Sequence, residues 1–141
     1  MGGNGWANTG PYQQDLAAAF RRAQDRELAG NDHGFKGHTI VELWADPDWQ
    51  EYIFTGGTGS VLDFFEFKAR EGDEDEGGRM RLLADAEVRV WAPSGQPTYA
   101  EWQDALHSGK LFDLGRACGN CTVLYRDGQP SEIGYWGITA D

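Results

Sequence analysis

The runs Thr122–Tyr125 and Glu132–Trp136 are rich in β-branched and aromatic residues, and Arg126-Asp127-Gly128-Gln129-Pro130 lies between them. Asp-Gly between two such runs is a strong hairpin signal, because both residues tolerate the positive φ that tight hairpin turns need. Pro130 has no N–H to give a ladder, so it belongs at the turn or on a strand edge. The chain therefore has to build at least one sheet near its C-terminus, and its other segments have to cover that sheet.

Helical patterns supply the cover. Tyr12, Leu16, Ala19, Phe20, Ala23 and Leu28 recur at three- and four-residue steps and share one face. Pro11 suits the first helical turn and Gly30-Asn31 the stop, while Arg21, Arg22, Asp25 and Arg26 fall on the outer side. Thr39-Ile40-Val41-Glu42 fits a capping box, with Ile40, Leu43 and Trp44 as its apolar face. Pro47 can open a second turn carrying Trp49, Tyr52 and Ile53. Thr98 and Glu101 form another capping box ahead of Tyr99, Trp102, Ala105 and Leu106, and Ser108-Gly109 ends that helix. His107, at its C-terminus, complements the helix dipole.

Two stretches are less regular. Ser60–Phe67 has the aromatic and Val content of a strand, reached through the glycine-rich Thr55-Gly56-Gly57-Thr58-Gly59-Ser60. Those glycines invite a phosphate-loop reading, but no Lys stands beside Ser60, and Leu62 occupies the position of the third glycine of a dinucleotide loop. In residues 82–91, Ala86, Val88 and Val90 alternate like a strand, whereas Leu82, Leu83, Ala86 and Val90 fit a helical stripe. Asp85 and Glu87 in the first turns and Pro93-Ser94-Gly95 beyond favour a short helix. The resulting expectation is an α+β fold, with N-terminal helices packed on a small, mostly antiparallel sheet that ends in the C-terminal β-hairpin. Residues 1–11 read as a flexible N-terminus and residues 12–141 as a single domain.

Charge narrows the function. Twelve Lys and Arg against 23 Asp and Glu leave a net charge of -11 on 141 residues. That field disfavours nucleic-acid phosphates and anionic lipid heads as partners. No apolar window is long enough to span a membrane, and the start, Met1-Gly2-Gly3-Asn4-Gly5-Trp6, lacks the basic and apolar stretches of a secretory signal. A cytoplasmic protein is expected. Five of the eight residues 71–78 are acidic and the other three are glycine, which predicts a mobile acidic loop. A calcium loop starting at Asp73 would need Glu at position 84, where Ala84 stands.

Catalytic signatures are sparse. Cys118-Gly-Asn-Cys121 allows redox chemistry, but it runs into strand-like residues rather than opening a helix that would stabilise a thiolate. It could supply half of a zinc site if the fold brought in His33 and His38, the one histidine pair with finger-like spacing. The simplest reading is two small buried thiols. Asp63 and Glu66, in an aromatic segment, are the candidates for a carboxylate-pair enzyme. No cofactor is expected.

Val123-Leu124-Tyr125-Arg126-Asp127-Gly128-Gln129-Pro130-Ser131-Glu132-Ile133-Gly134-Tyr135-Trp136-Gly137 resembles the ending of small acidic bacterial proteins. Gly57–Asp63 resembles a recurring stretch in the same group. Some of that group accompany polymorphic toxins as immunity proteins, so the resemblance implies a binding role. With the charge, it gives the expectation of an acidic protein-binding module that neutralises a basic partner such as a toxin. Asp73, Glu74, Asp75 and Glu76 are then the partner-binding residues, and the six tryptophans are candidate hot spots. The alternatives are a small enzyme using carboxylates or the Cys118/Cys121 pair, and a small-molecule binder.

Overall fold

The computed structural model describes residues 3–68 and 77–140. Five strands form one mixed sheet: β1 (Gly5–Pro11), β2 (Glu66–Lys68), β3 (Arg79–Leu82), β4 (Gly119–Arg126) and β5 (Gln129–Ile138). The strand order is β1-β5-β4-β3-β2. The β4/β5 and β1/β5 ladders are antiparallel, and the shorter β2/β3 and β3/β4 ladders are parallel. The helices are α1 (Leu16–Gly30), α2 (Ile40–Trp44), α3 (Pro47–Thr55), α4 (Asp85–Trp91) and α5 (Tyr99–His107). The fold is α+β, and β4–β5 is the expected C-terminal hairpin.

The hairpin closes through a two-residue loop. Arg126 pairs with Gln129, and Asp127 and Gly128 have φ of 52° and 76°, the mirror-image turn that matches strand twist. A bulge follows, in which Leu124 pairs with Glu132 and Tyr125 with Pro130. Pro130 offers no N–H there. The Tyr125 N–H turns away and donates to Pro97 O at 2.8 Å, tying the hairpin to the start of α5.

Both sheet faces are covered. Alternation along β4 sends Cys121 to one side and Leu124 to the other. Phe20, Ala19 and Ala23 of α1 meet Met80, Cys121, Ile133 and Tyr135 on the first face. On the second, Val88 of α4 and Trp102 and Leu106 of α5 meet Leu124 and Trp136. A satellite core beneath α2 and α3 holds Ile40, Leu43, Trp49, Ile53 and Leu62. The capping boxes at Thr39 and Thr98 form in both directions, and Pro47 opens α3. Among the described residues, no helix is long and apolar enough to cross a membrane.

Three expectations are corrected. Residues 5–11, expected to be part of a flexible start, form the edge strand β1, whose Gly5–Pro11 pair with Ile138–Glu132 of β5. Gly10 packs closely there: a Cβ would lie 3.0 Å from Cε2 of Tyr135 and 3.2 Å from the Cβ of Ala23 on α1. Pro11 therefore ends a strand, and α1 starts later, capped by Asp15 accepting from the Ala18 N–H. Ser60–Phe67 is not one strand: Val61–Asp63 is a 3-10 turn and β2 starts only at Glu66. Residues 82–91 hold the expected short helix, preceded by a strand, β3, that the pattern did not show.

Candidate functional site

The acidic residues singled out from sequence, Asp73, Glu74, Asp75 and Glu76, lie outside the described residues. Their segment joins β2 to β3, and its described end is anchored: Phe65 N–H donates to Gly78 O at 3.0 Å, and Gly78 N–H to Ala117 O at 2.9 Å. Gly78, at φ 83°, lets the chain turn flat against the Phe65 ring, where a Cβ would sit 2.5 Å from Cε1.

Phe65 belongs to a surface cluster. The Trp44 ring is half-buried and lies 5.6 Å from Phe65 and 6.2 Å from Phe54, both at edge-on angles favourable for aromatic pairs. Phe54 is 49% exposed and Phe65 37%, and Val41, one helical turn before Trp44, is 65% exposed. The Arg79 guanidinium stands 5.1 Å from the centre of the Phe65 ring. Exposed carboxylates flank the patch residues along the chain. Glu42 sits beside Val41 in the chain, and exposed Asp48 and Glu51 precede Phe54 along α3. The Glu42 carboxyl is held below its ordinary range by hydrogen bonds from the Thr39 backbone and side chain. In the chain, Glu76 directly precedes Gly77-Gly78.

Most tryptophans are not available to a partner. Trp49, Trp102 and Trp136 are fully buried core residues, and Trp6 packs into the first sheet face near Phe64. The exposed anchors are instead Phe54, Phe65 and Val41 beside Trp44. Phe54 and Val41 leave a sequence signal, as large apolar residues off the buried stripes of α3 and α2.

The other sequence candidates separate in space or are already engaged. Asp63 is buried within the glycine loop. Its Oδ1 accepts from the Thr58 N–H and Oγ1, each at 2.6 Å, and its Oδ2 from the Gly59 N–H at 3.1 Å. Ser60 Oγ, 2.7 Å from Thr58 Oγ1, completes the chain and accepts from the Leu62 N–H. The loop amides that a phosphate would use are thus held by the protein's own carboxylate. Burial pushes the Asp63 carboxyl above its ordinary range despite these donors. Glu66 is exposed and pairs with Arg79, so it does not face Asp63 as a carboxylate partner.

Cys118 and Cys121 are both buried thiols. Burial drives the Cys121 thiol far above its ordinary range, the opposite of a thiolate nucleophile. His33 Nδ1 lies 2.9 Å from the Tyr52 hydroxyl. His107 is exposed in the last turn of α5. Among the described residues, no group of three His, Cys, Asp or Glu is arranged to hold a metal ion.

Comparison with protein families, curated proteins and solved structures finds no match to this chain.

Proposed function

We propose that the protein is an acidic protein-binding module of inhibitor or immunity type, and that it docks a basic protein through the Val41/Trp44/Phe54/Phe65 patch. The observation that carries this reading is the cluster of exposed aromatic rings on the surface of a chain of net charge -11. Aromatic anchors concentrate binding energy at interfaces, and surrounding charge sets partner choice and approach rate. Asp73, Glu74, Asp75 and Glu76, which precede Gly77 in the chain, steer a cationic surface toward the protein.

The test is capture of the partner from the native cell, its identification, and measurement of affinity with purified components. The expected partner has a basic surface, a secreted toxin encoded by a neighbouring gene being the leading case. Phe54→Ala and Phe65→Ala each weaken binding about tenfold or more, near 1.4 kcal/mol, with little change in Tm because both rings are half exposed. A neutral or acidic partner, or full affinity in the double variant, overturns the reading.

A further inference from the structure

β1 is the last strand of the sheet, and among the described residues no strand pairs with its outer side. The register fixes which of its groups face outward. Thr139 N–H donates to Asn4 O at 3.0 Å, and on the other side of β5 Ile138 N–H donates to Cys118 O at 3.0 Å. Bonded and non-bonded pairs alternate in an antiparallel ladder, so Asn4, Trp6, Asn8 and Gly10 turn their backbone groups toward β5. Gly5, Ala7, Thr9 and Pro11 turn theirs to the open edge, and the first three of these are exposed. Each of those three offers an N–H and a C=O there, and Pro11 a C=O only.

An open row of this kind is a template for another strand, and sheets blunt it with charge, proline, a bulge or brevity. The opposite edge is blunted in that way, because β2 is three residues long with Glu66 and Lys68 at its ends. β1 is seven residues long and in unbroken register with β5, and the first charged side chain of the sequence is Asp15. Pro11 stands only at its end. Charge then selects the occupant. Residues 1–30 set Asp15, Asp25 and Glu27 against Arg21, Arg22 and Arg26, so this stretch is neutral and the whole surplus of -11 belongs to residues 31–141. Arg26 and Glu27 line the small cleft between α1 and Asn8–Pro11, one charge of each sign beside the edge. A cationic partner gains no attraction from such an edge. Two copies of this chain repel each other overall, and the repulsion is weakest where their neutral elements meet.

We propose that β1 pairs with β1 of a second copy, antiparallel about a twofold axis at Ala7, joining the two sheets into one. Centring on Ala7 sets Gly5 opposite Thr9 and Ala7 opposite Ala7 of the second copy, and each pair exchanges two hydrogen bonds. Pro11 and its neighbour Glu132 on β5 stay outside the paired stretch. The contact is isologous and consumes both open edges, so assembly closes at two and leaves the blunted β2 edges outermost. β1 shares no residue with the Val41/Trp44/Phe54/Phe65 patch, so the dimer and the protein-binding reading stand or fall separately.

The experiment is sedimentation equilibrium of the full chain from micromolar to millimolar concentration at several salt concentrations. The expected mass rises from 15.6 kDa to twice that value and no further. Salt strengthens the dimer by screening the repulsion between like net charges. Ala7→Lys, at an exposed position, sets like charges opposite each other on the axis and weakens dimerisation about fivefold or more, with the circular dichroism of the dilute protein unchanged. Ala7→Cys keeps a small side chain and cross-links two copies on mild oxidation, whereas Ser94→Cys, at an exposed loop position, does not. The proposal is overturned by a monomer at millimolar concentration, by assembly that continues past two, or by a dimer that salt dissociates. Undiminished dimerisation in a folded Ala7→Lys, or equal cross-linking at positions 7 and 94, overturns it as well. A monomer that loses a captured protein partner on Ala7→Lys assigns the edge to a strand of that partner and refutes the second copy.

Discussion

Asp63 and Glu87 are carboxylates on the same chain with opposite linkage to pH. Hydrogen bonds from the Arg81 side chain hold Glu87 below its ordinary range, whereas burial holds Asp63 above it. A depressed folded pKa gives stability that is present above the unfolded value and lost as pH falls through the folded one. A raised folded pKa gives stability that is full below the unfolded value and lost as pH rises through the folded one. Glu87→Gln is therefore expected to cost about 1 kcal/mol at neutral pH, at the low end for a charged hydrogen bond because Glu87 is half exposed, and less in acid. Asp63→Ala leaves the Thr58 and Gly59 N–H groups without their acceptor and is expected to cost about 1–3 kcal/mol, with the larger penalty in acid. Urea denaturation of both variants across the acid range checks this. Parallel slopes, or slopes of reversed sign, contradict the assignment.

Two aromatic rings are seated closely on strand glycines. A Cβ at Gly134 of β5 would lie 2.7 Å from Cε2 of Trp102 on α5, and one at Gly119 of β4 would lie 2.5 Å from Cζ of Phe64. Gly134→Ala must lift α5 from the sheet, with an expected loss of about 1–3 kcal/mol in urea denaturation. Gly30→Ala, where nothing lies within 4 Å, is expected to be neutral or slightly stabilising. A Gly134→Ala variant as stable as the parent would mean that Trp102 does not bear on the strand. The reach of each signal along the chain explains where sequence reading succeeded and failed. Helices α1, α2, α3 and α5 were legible because their caps and apolar spacing are local, and the hairpin because Asp127-Gly128 is a local turn code. Strand β1 was illegible because Gly5, Gly10 and Pro11 carry turn chemistry, and only pairing with β5 makes them a strand. Strand β3 is four residues of alternating Arg, Met and Leu whose partners lie across a crossover on one side and far along the chain on the other. In the protein-binding patch, acidity was legible from composition, whereas the meeting of Trp44, Phe54 and Phe65 depends on how α2, α3 and the approach to β2 fold together.

For the molecule as a whole, surplus negative charge and exposed rings act on different steps of one association. Long-range attraction changes how often a cationic partner arrives in register, and it is screened within about 10 Å at ordinary salt. Ring burial changes how long the partner stays, because contacts at a desolvated centre are lost only on departure. Replacing Asp73, Glu74, Asp75 and Glu76 by Asn and Gln removes four of the eleven surplus charges without touching the patch. The expected result is a several-fold slower association at low salt that converges on the parent rate as salt rises, with dissociation unchanged. Phe54→Ala is expected to show the reverse, unchanged association with faster dissociation at every salt concentration. Stopped-flow measurement of both variants over a salt series separates the two contributions. If neutralising the acidic segment accelerates dissociation alone, those carboxylates contact the partner directly instead of steering it. If both variants behave as the parent does, the partner is held elsewhere on the surface.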